Sequence, residues 1–124
     1  MNRRQRHPKD AISKAELEPV PDLNALDNLF ENSNEVPVVL FLNDPFCPIS
    51  ARAHGRVTEA GGAIHMIDVS RQHELNREVE ARTGVRHESP QAFVLRRGRP
   101  IWHASHGRIS TESLAYARDF ELDA

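Results

Sequence analysis

The chain has 124 residues, of which 39% are hydrophobic and 27% charged, with a formal net charge of −2. That length supports one domain with a real core and is short for two. So slight a charge builds no field that would make nucleic acid or an acidic membrane surface the main partner, and no apolar run approaches the roughly 18 residues of a membrane span.

Residues 1–14 (MNRRQRHPKDAISK) carry Arg3, Arg4, Arg6, Lys9 and Lys14 against Asp10, with almost nothing apolar. They read as a flexible, solvated basic tail ahead of a single domain over residues 15–124, and they lack the apolar core of a secretory signal. With one cysteine in the chain, a reducing compartment fits better than a disulfide scaffold, so a cytoplasmic protein is expected.

From Pro21 the pattern turns periodic. Leu23, Leu26, Leu29 and Phe30 share a helical face, with Asp22 placed to cap it. Val36–Leu42 is apolar and largely β-branched, as in a strand covered on both faces. Cys47-Pro48 opens a second helix, because proline suits the first helical position, and Gly61-Gly62 stops it. Ala63–Val69 reads as the next strand. Ser70 then caps a helix bearing Leu75 and Val79 that ends at Gly84. Two strands joined by a helix make a βαβ unit with parallel strands. After "RHESPQ", Ala92–Leu95 and Ile101–Ala104 flank a turn at Arg97-Gly98-Arg99 and suggest an antiparallel hairpin. Ser110 caps a last helix with Leu114, Ala117 and Phe120 facing inward, and a short extra strand fits before Pro21. This order of elements is that of an α/β protein of thioredoxin-like fold, a single domain with a central mixed β-sheet flanked by helices.

Cys47 falls just after the break Asn43-Asp44-Pro45, at the exposed junction of a strand and a helix. There the unpaired N–H groups of the first turn and the positive end of the helix dipole stabilise a thiolate, the form that attacks disulfides. The alternative is a buried, inert cysteine. The motif is C-x-x-S: Cys47, Pro48, Ile49, Ser50. A serine cannot resolve a mixed disulfide from within, so an outside thiol has to release Cys47. Ser50 is left to offer its hydroxyl to the sulfur, to cap the helix, or to do neither. A second constellation, "HESPQ" (His87–Gln91), precedes a strand, and its Ser89-Pro90 bond is a candidate for the cis form. In thioredoxin-like folds this loop lies beside the active cysteine, and the backbone of Ser89 could pair with an extended substrate.

The seven histidines do not make a metal site. His103 and His106 lie three apart on a predicted strand and so on opposite faces, and no His-x₃-His pair or second cysteine supports zinc. His54 is seven residues beyond Cys47, roughly 10 Å along one helix. Glu78 and Glu80 read as a solvated helix face. No Ser-His-Asp order, phosphate loop, dinucleotide fingerprint or internal repeat is present.

"CPIS", "RHESPQAFVLRRGRPIWHASHGRIS" and "VPVVLFL" together resemble the monothiol bacilliredoxins, thioredoxin-like proteins of the bacillithiol system, over about residues 18–122. The resemblance implies a bacterial, cytoplasmic thiol–disulfide oxidoreductase that removes bacillithiol from mixed disulfides on oxidised client proteins. Cys47 would be the nucleophile, Phe46, Pro48, Ile49 and Ser50 its active-site turn, and Ser89 and Pro90 the substrate-binding cis-proline loop. Bacillithiol would be the thiol co-substrate, with no bound cofactor or metal and neither nucleic acid nor membrane as partner. Pro45 and Phe46 stand where the family often has a polar, basic approach to the cysteine, which leaves Arg86 and Arg108 to supply positive charge for an anionic thiol. Two other functions use the same residues. One is a monothiol glutaredoxin-like protein with another small thiol or an Fe–S cluster, and the other a non-catalytic adaptor binding through Ser89-Pro90.

Overall fold

The computed structural model describes residues 14–121. The predicted basic tail therefore lies, Lys14 apart, outside the described residues. In chain order the elements are β1 (Glu16–Pro19), α1 (Leu23–Asn32), β2 (Val38–Asn43), α2 (Pro48–Glu59), β3 (Ala63–Asp68), α3 (His73–Thr83), β4 (Gln91–Arg96), β5 (Arg99–Ser105), a 3₁₀ turn (His106–Arg108) and α4 (Thr111–Phe120).

Alternation along the central strands decides how these pack. Val38, Leu40 and Leu42 of β2 point to one face of the sheet, Val39 and Phe41 to the other, and β4 divides in the same way between Phe93, Leu95 and Ala92, Val94. A strand apolar on both faces needs cover on both. On the first face α1 and α3 supply Leu26, Leu29, Phe30, Leu75 and Val79. On the second, α2 and α4 supply Ala53, Val57, Leu114 and Ala117. The strand order is β1-β3-β2-β4-β5, with β1 and β2 parallel to β3, and β4 antiparallel to both β2 and β5. The predicted βαβ unit, hairpin and extra leading strand are all present, and β1 and β5 form the sheet's two edges.

The predicted caps divide. Asp22 Oδ1 accepts from the N–H of Ala25 at 2.9 Å, and Ser110 Oγ accepts from Ser113 at 3.0 Å. Ser70 does not cap α3, whose N-cap is Gln72. The Asp68 carboxylate captures Ser70 instead, accepting from its hydroxyl at 2.6 Å and its N–H at 3.0 Å. Phe120, expected to face inward, is 69% exposed and stacks on Tyr116 at 4.8 Å. At 100° per residue it lies about 120° around the axis from Leu114, beyond the edge of a narrow apolar stripe. Leu23, at the first turn of α1, and Val36, ahead of β2, are also exposed. His106 falls past the end of β5, so it does not share a strand with His103.

At one end of the sheet Ser33, fully buried, knots α1 to the hairpin. Its hydroxyl donates to Phe30 O at 2.6 Å and accepts from Gly98 N at 2.8 Å, while its carbonyl accepts from Arg97 N at 2.7 Å. The other end gathers the chain segments that carry the chemistry. Register pairs Asn43 with Asp68, Leu42 with Gln91, and Gln91 with Ser105. The exit of β2, the entry to β4 and the exit of β5 therefore meet there.

Candidate active site

Cys47 is the N-cap of α2, in extended conformation (φ −110°, ψ 124°), with Pro48 in the first turn. The loop that delivers it is a tight turn: Cys47 N–H donates to Asp44 O at 3.1 Å, and Phe46 N–H donates to Asp44 Oδ1 at 2.9 Å. Asp44 was read from the sequence only as part of the break Asn43-Asp44-Pro45, with no role of its own. Cys47 O accepts the first helical bond, from Ala51 at 3.0 Å, whereas the Cys47 side chain makes no capping hydrogen bond. Cys47 is half-buried, at the positive end of a 12-residue helix whose first N–H groups have no intrahelical partner. Phe46 and Ile49 flank it, 81% and 48% exposed.

Ser50 is fully buried. Of the roles open to it, the structure adds one not foreseen: its hydroxyl accepts from the N–H of Asp44 at 3.3 Å, tying the start of the loop back to the helix it feeds. Behind the loop, Asn43, Asp44, Pro45, Ala51 and His54 line a recess of about 290 Å³, and the His54 ring meets Phe41 edge-on at 6.2 Å.

The Ser89-Pro90 bond is cis. Its loop is held from within by Gln91, 2% exposed, whose Nε2 donates to Arg86 O at 2.9 Å and whose Oε1 accepts from Glu88 N at 3.2 Å. Pro90 O accepts from His106 N at 3.0 Å, which ties the loop to the exit of β5. Ser89 Oγ and His87 Nδ1 are buried without a hydrogen-bond partner. Gln91 closes the HESPQ constellation picked out from the sequence, but its role was not announced there, since an amide opening an apolar strand has no local signature. Arg86 and Arg108, named together from the sequence as a source of positive charge, line one cleft.

Among the described residues, no three His, Cys, Asp or Glu side chains gather as a metal site, and no helix is long and apolar enough to cross a membrane. His65, partly buried on β3 with Glu18 Oε1 3.6 Å from its Nδ1, is held below its ordinary value of 6.5 by burial, which outweighs the pull of Glu18.

Residues 18–114 match the family model of the monothiol bacilliredoxin BrxC. Among solved structures, the fold is similar to that of a candidate oxidoreductase with a thioredoxin fold, at TM-score 0.73 and 27% identity, over 82% of this chain and 92% of that one. It is also similar to a mutant thioredoxin of Halobacterium salinarum NRC-1 (TM-score 0.64, 18% identity, 88% of this chain and 93% of that one). The thioredoxin of Malassezia sympodialis is alike in the same way (TM-score 0.65, 14% identity, 88% and 93%). The two thioredoxins speak for the fold alone; the family match adds the chemistry. This chain belongs to the monothiol bacilliredoxin family, thiol oxidoreductases built on the thioredoxin fold.

Proposed function

We propose that the protein is a monothiol thiol–disulfide oxidoreductase of the bacterial cytoplasm that removes bacillithiol from protein mixed disulfides, with Cys47 as the nucleophile. The observation that carries this reading is the pairing of a half-exposed cysteine at a helix start with a buried serine at the position where a dithiol enzyme keeps its resolving cysteine. The Cys47 thiolate attacks the bacillithiol sulfur of a client's mixed disulfide. A new S–S bond forms to Cys47, the old one breaks, and the client leaves as thiolate. A second bacillithiol, as thiolate, then attacks the bacillithiol sulfur on Cys47. This releases oxidised bacillithiol and regenerates Cys47, so clearing one client consumes one reduced bacillithiol, whose sulfur ends paired with the one taken from the client.

In this cycle Phe46 and Ile49 give clients an apolar approach to the sulfur, Pro48 and Ser50 hold the turn, and the Ser89 backbone pairs with an extended client segment ahead of Pro90. Family membership supports the choice of thiol. The experiment is intact-mass analysis of a bacillithiolated client incubated with the protein and bacillithiol. The modification is expected to disappear with the wild type and to persist with Cys47→Ser. The protein alone should gain one bacillithiol when exposed to its oxidised form. A serine variant that still cleared the client would overturn the assignment.

A further inference from the structure

Beside the cis-proline loop lies a cleft of about 380 Å³, lined among others by Arg86, Glu88, Gln91, His103, Ser105 and Arg108. Its walls come from the two segments fastened to that loop. Arg86 lies four residues ahead of Pro90, its carbonyl gripped by buried Gln91, and Arg108 belongs to the 3₁₀ turn whose first N–H bonds Pro90 O. Three arginines are ion-paired, Arg82 with Asp27 and Glu78, Arg96 with Glu121 and Arg118 with Asp119. Among the described residues, no carboxylate lies within ion-pair distance of Arg86 or Arg108. The one carboxylate lining the cleft, Glu88, is turned to His106, with Oε1 3.3 Å from Nδ1. Two cations thus line one concavity, neither in ion-pair contact with a carboxylate, on backbone whose conformation is fixed from below. The volume suits a small molecule rather than a peptide strand.

We infer that this cleft is the anion site for the low-molecular-weight thiol: Arg86 and Arg108 hold its carboxylates while its sulfur reaches Cys47. The inference rests on the proposed exchange reaction and deepens it. It assigns recognition of the small thiol to residues other than Phe46 and Ile49, which the proposed reaction gives to clients. Guanidinium groups bind carboxylates through charge-assisted, often bidentate bonds. Because both arginines are exposed, salt should weaken the effect.

The test compares two disulfides on the full chain. Wild type, an Arg86→Gln/Arg108→Gln double variant and an Arg77→Gln control (on exposed α3) are loaded at Cys47 by oxidised bacillithiol, which carries carboxylates, and by 2-hydroxyethyl disulfide, which carries no charge. The double variant is expected to load roughly 10-fold more slowly with oxidised bacillithiol at low salt, a factor that shrinks at high salt, and within about 2-fold of wild type with the neutral disulfide. Binding of reduced bacillithiol to Cys47→Ser, measured without chemistry, should weaken by a similar factor when both arginines are replaced. Equal slowing with both disulfides, or no slowing with either, would overturn the inference. Failure of the underlying reading looks different. If wild type is loaded by oxidised glutathione and not by oxidised bacillithiol, with the arginine dependence kept, the choice of thiol falls and the anion site stands. If oxidised bacillithiol loads regardless of the arginines, the thiol stands and the site falls.

Discussion

Ser50 separates this site from a dithiol one by a single atom. Its side chain is already buried and one helical turn from Cys47, so Ser50→Cys changes little volume while supplying a second thiol. On the proposed mechanism, a small-thiol adduct on Cys47 of that variant should collapse to an intramolecular disulfide between Cys47 and the introduced thiol, with loss of the small thiol. Intact mass would then show the adduct as a minor species and the two-hydrogen loss as the major one. Persistence of the adduct at wild-type levels would show that position 50 cannot resolve Cys47. The same residue shows where sequence reading stops. C-x-x-S identifies what Ser50 cannot do, but the bond it makes, to the N–H of Asp44, depends on how tightly the preceding turn curls. The roles of Asp44 and Gln91 escaped notice for a related reason, since each works by gripping backbone a few residues away, and no pattern of side chains records such a grip.

Elements were legible where burial is periodic. The five-residue apolar run of β2 demanded cover on both faces, and the helices on either side supply it. Starts and stops were legible where one residue has one job: Asp22 and Ser110 as caps, Pro48 in a first turn, Gly84 as a left-handed C-cap at φ 72°. They failed where two groups compete, as when Asp68 takes Ser70 from α3, and where a helix face runs out, as at Phe120. The central strand should accordingly be the stability bottleneck. Leu40→Ala, at a position with no exposure in the middle of β2, is expected to cost about 2–5 kcal/mol through lost transfer energy and a residual cavity. Val36→Ala, exposed ahead of the strand, should cost under about 0.5 kcal/mol. Urea midpoints of the two variants check the contrast, and similar shifts would contradict the assigned core.

For the molecule as a whole, pH acts on stability through groups that differ between the folded and unfolded chain. His65 is such a group, since burial holds its folded value below the 6.5 of an unfolded histidine. The unfolded chain then takes up the proton first. The His65 contribution is complete above about pH 6.5 and is lost as pH falls from there toward the folded value. Urea titrations at pH 7.5 and 5.5 should show a lower midpoint at the acid end, with a smaller drop in His65→Gln. An unchanged drop would assign the effect to other histidines.

The two edges of the sheet have a consequence for the molecule in a crowded solution. β1 is four residues long, carries Glu16 and Glu18, and ends at Pro19; β5 opens on Arg99-Pro100 and is paired to β4 through a bulge at Val94/Leu95. A neighbouring copy trying to lengthen the sheet meets charge, missing N–H donors and broken register at its borders, features that discourage edge-to-edge growth. Backbone pairing is thereby discouraged at both rims, so the sheet is ill suited to templating fibres of its own.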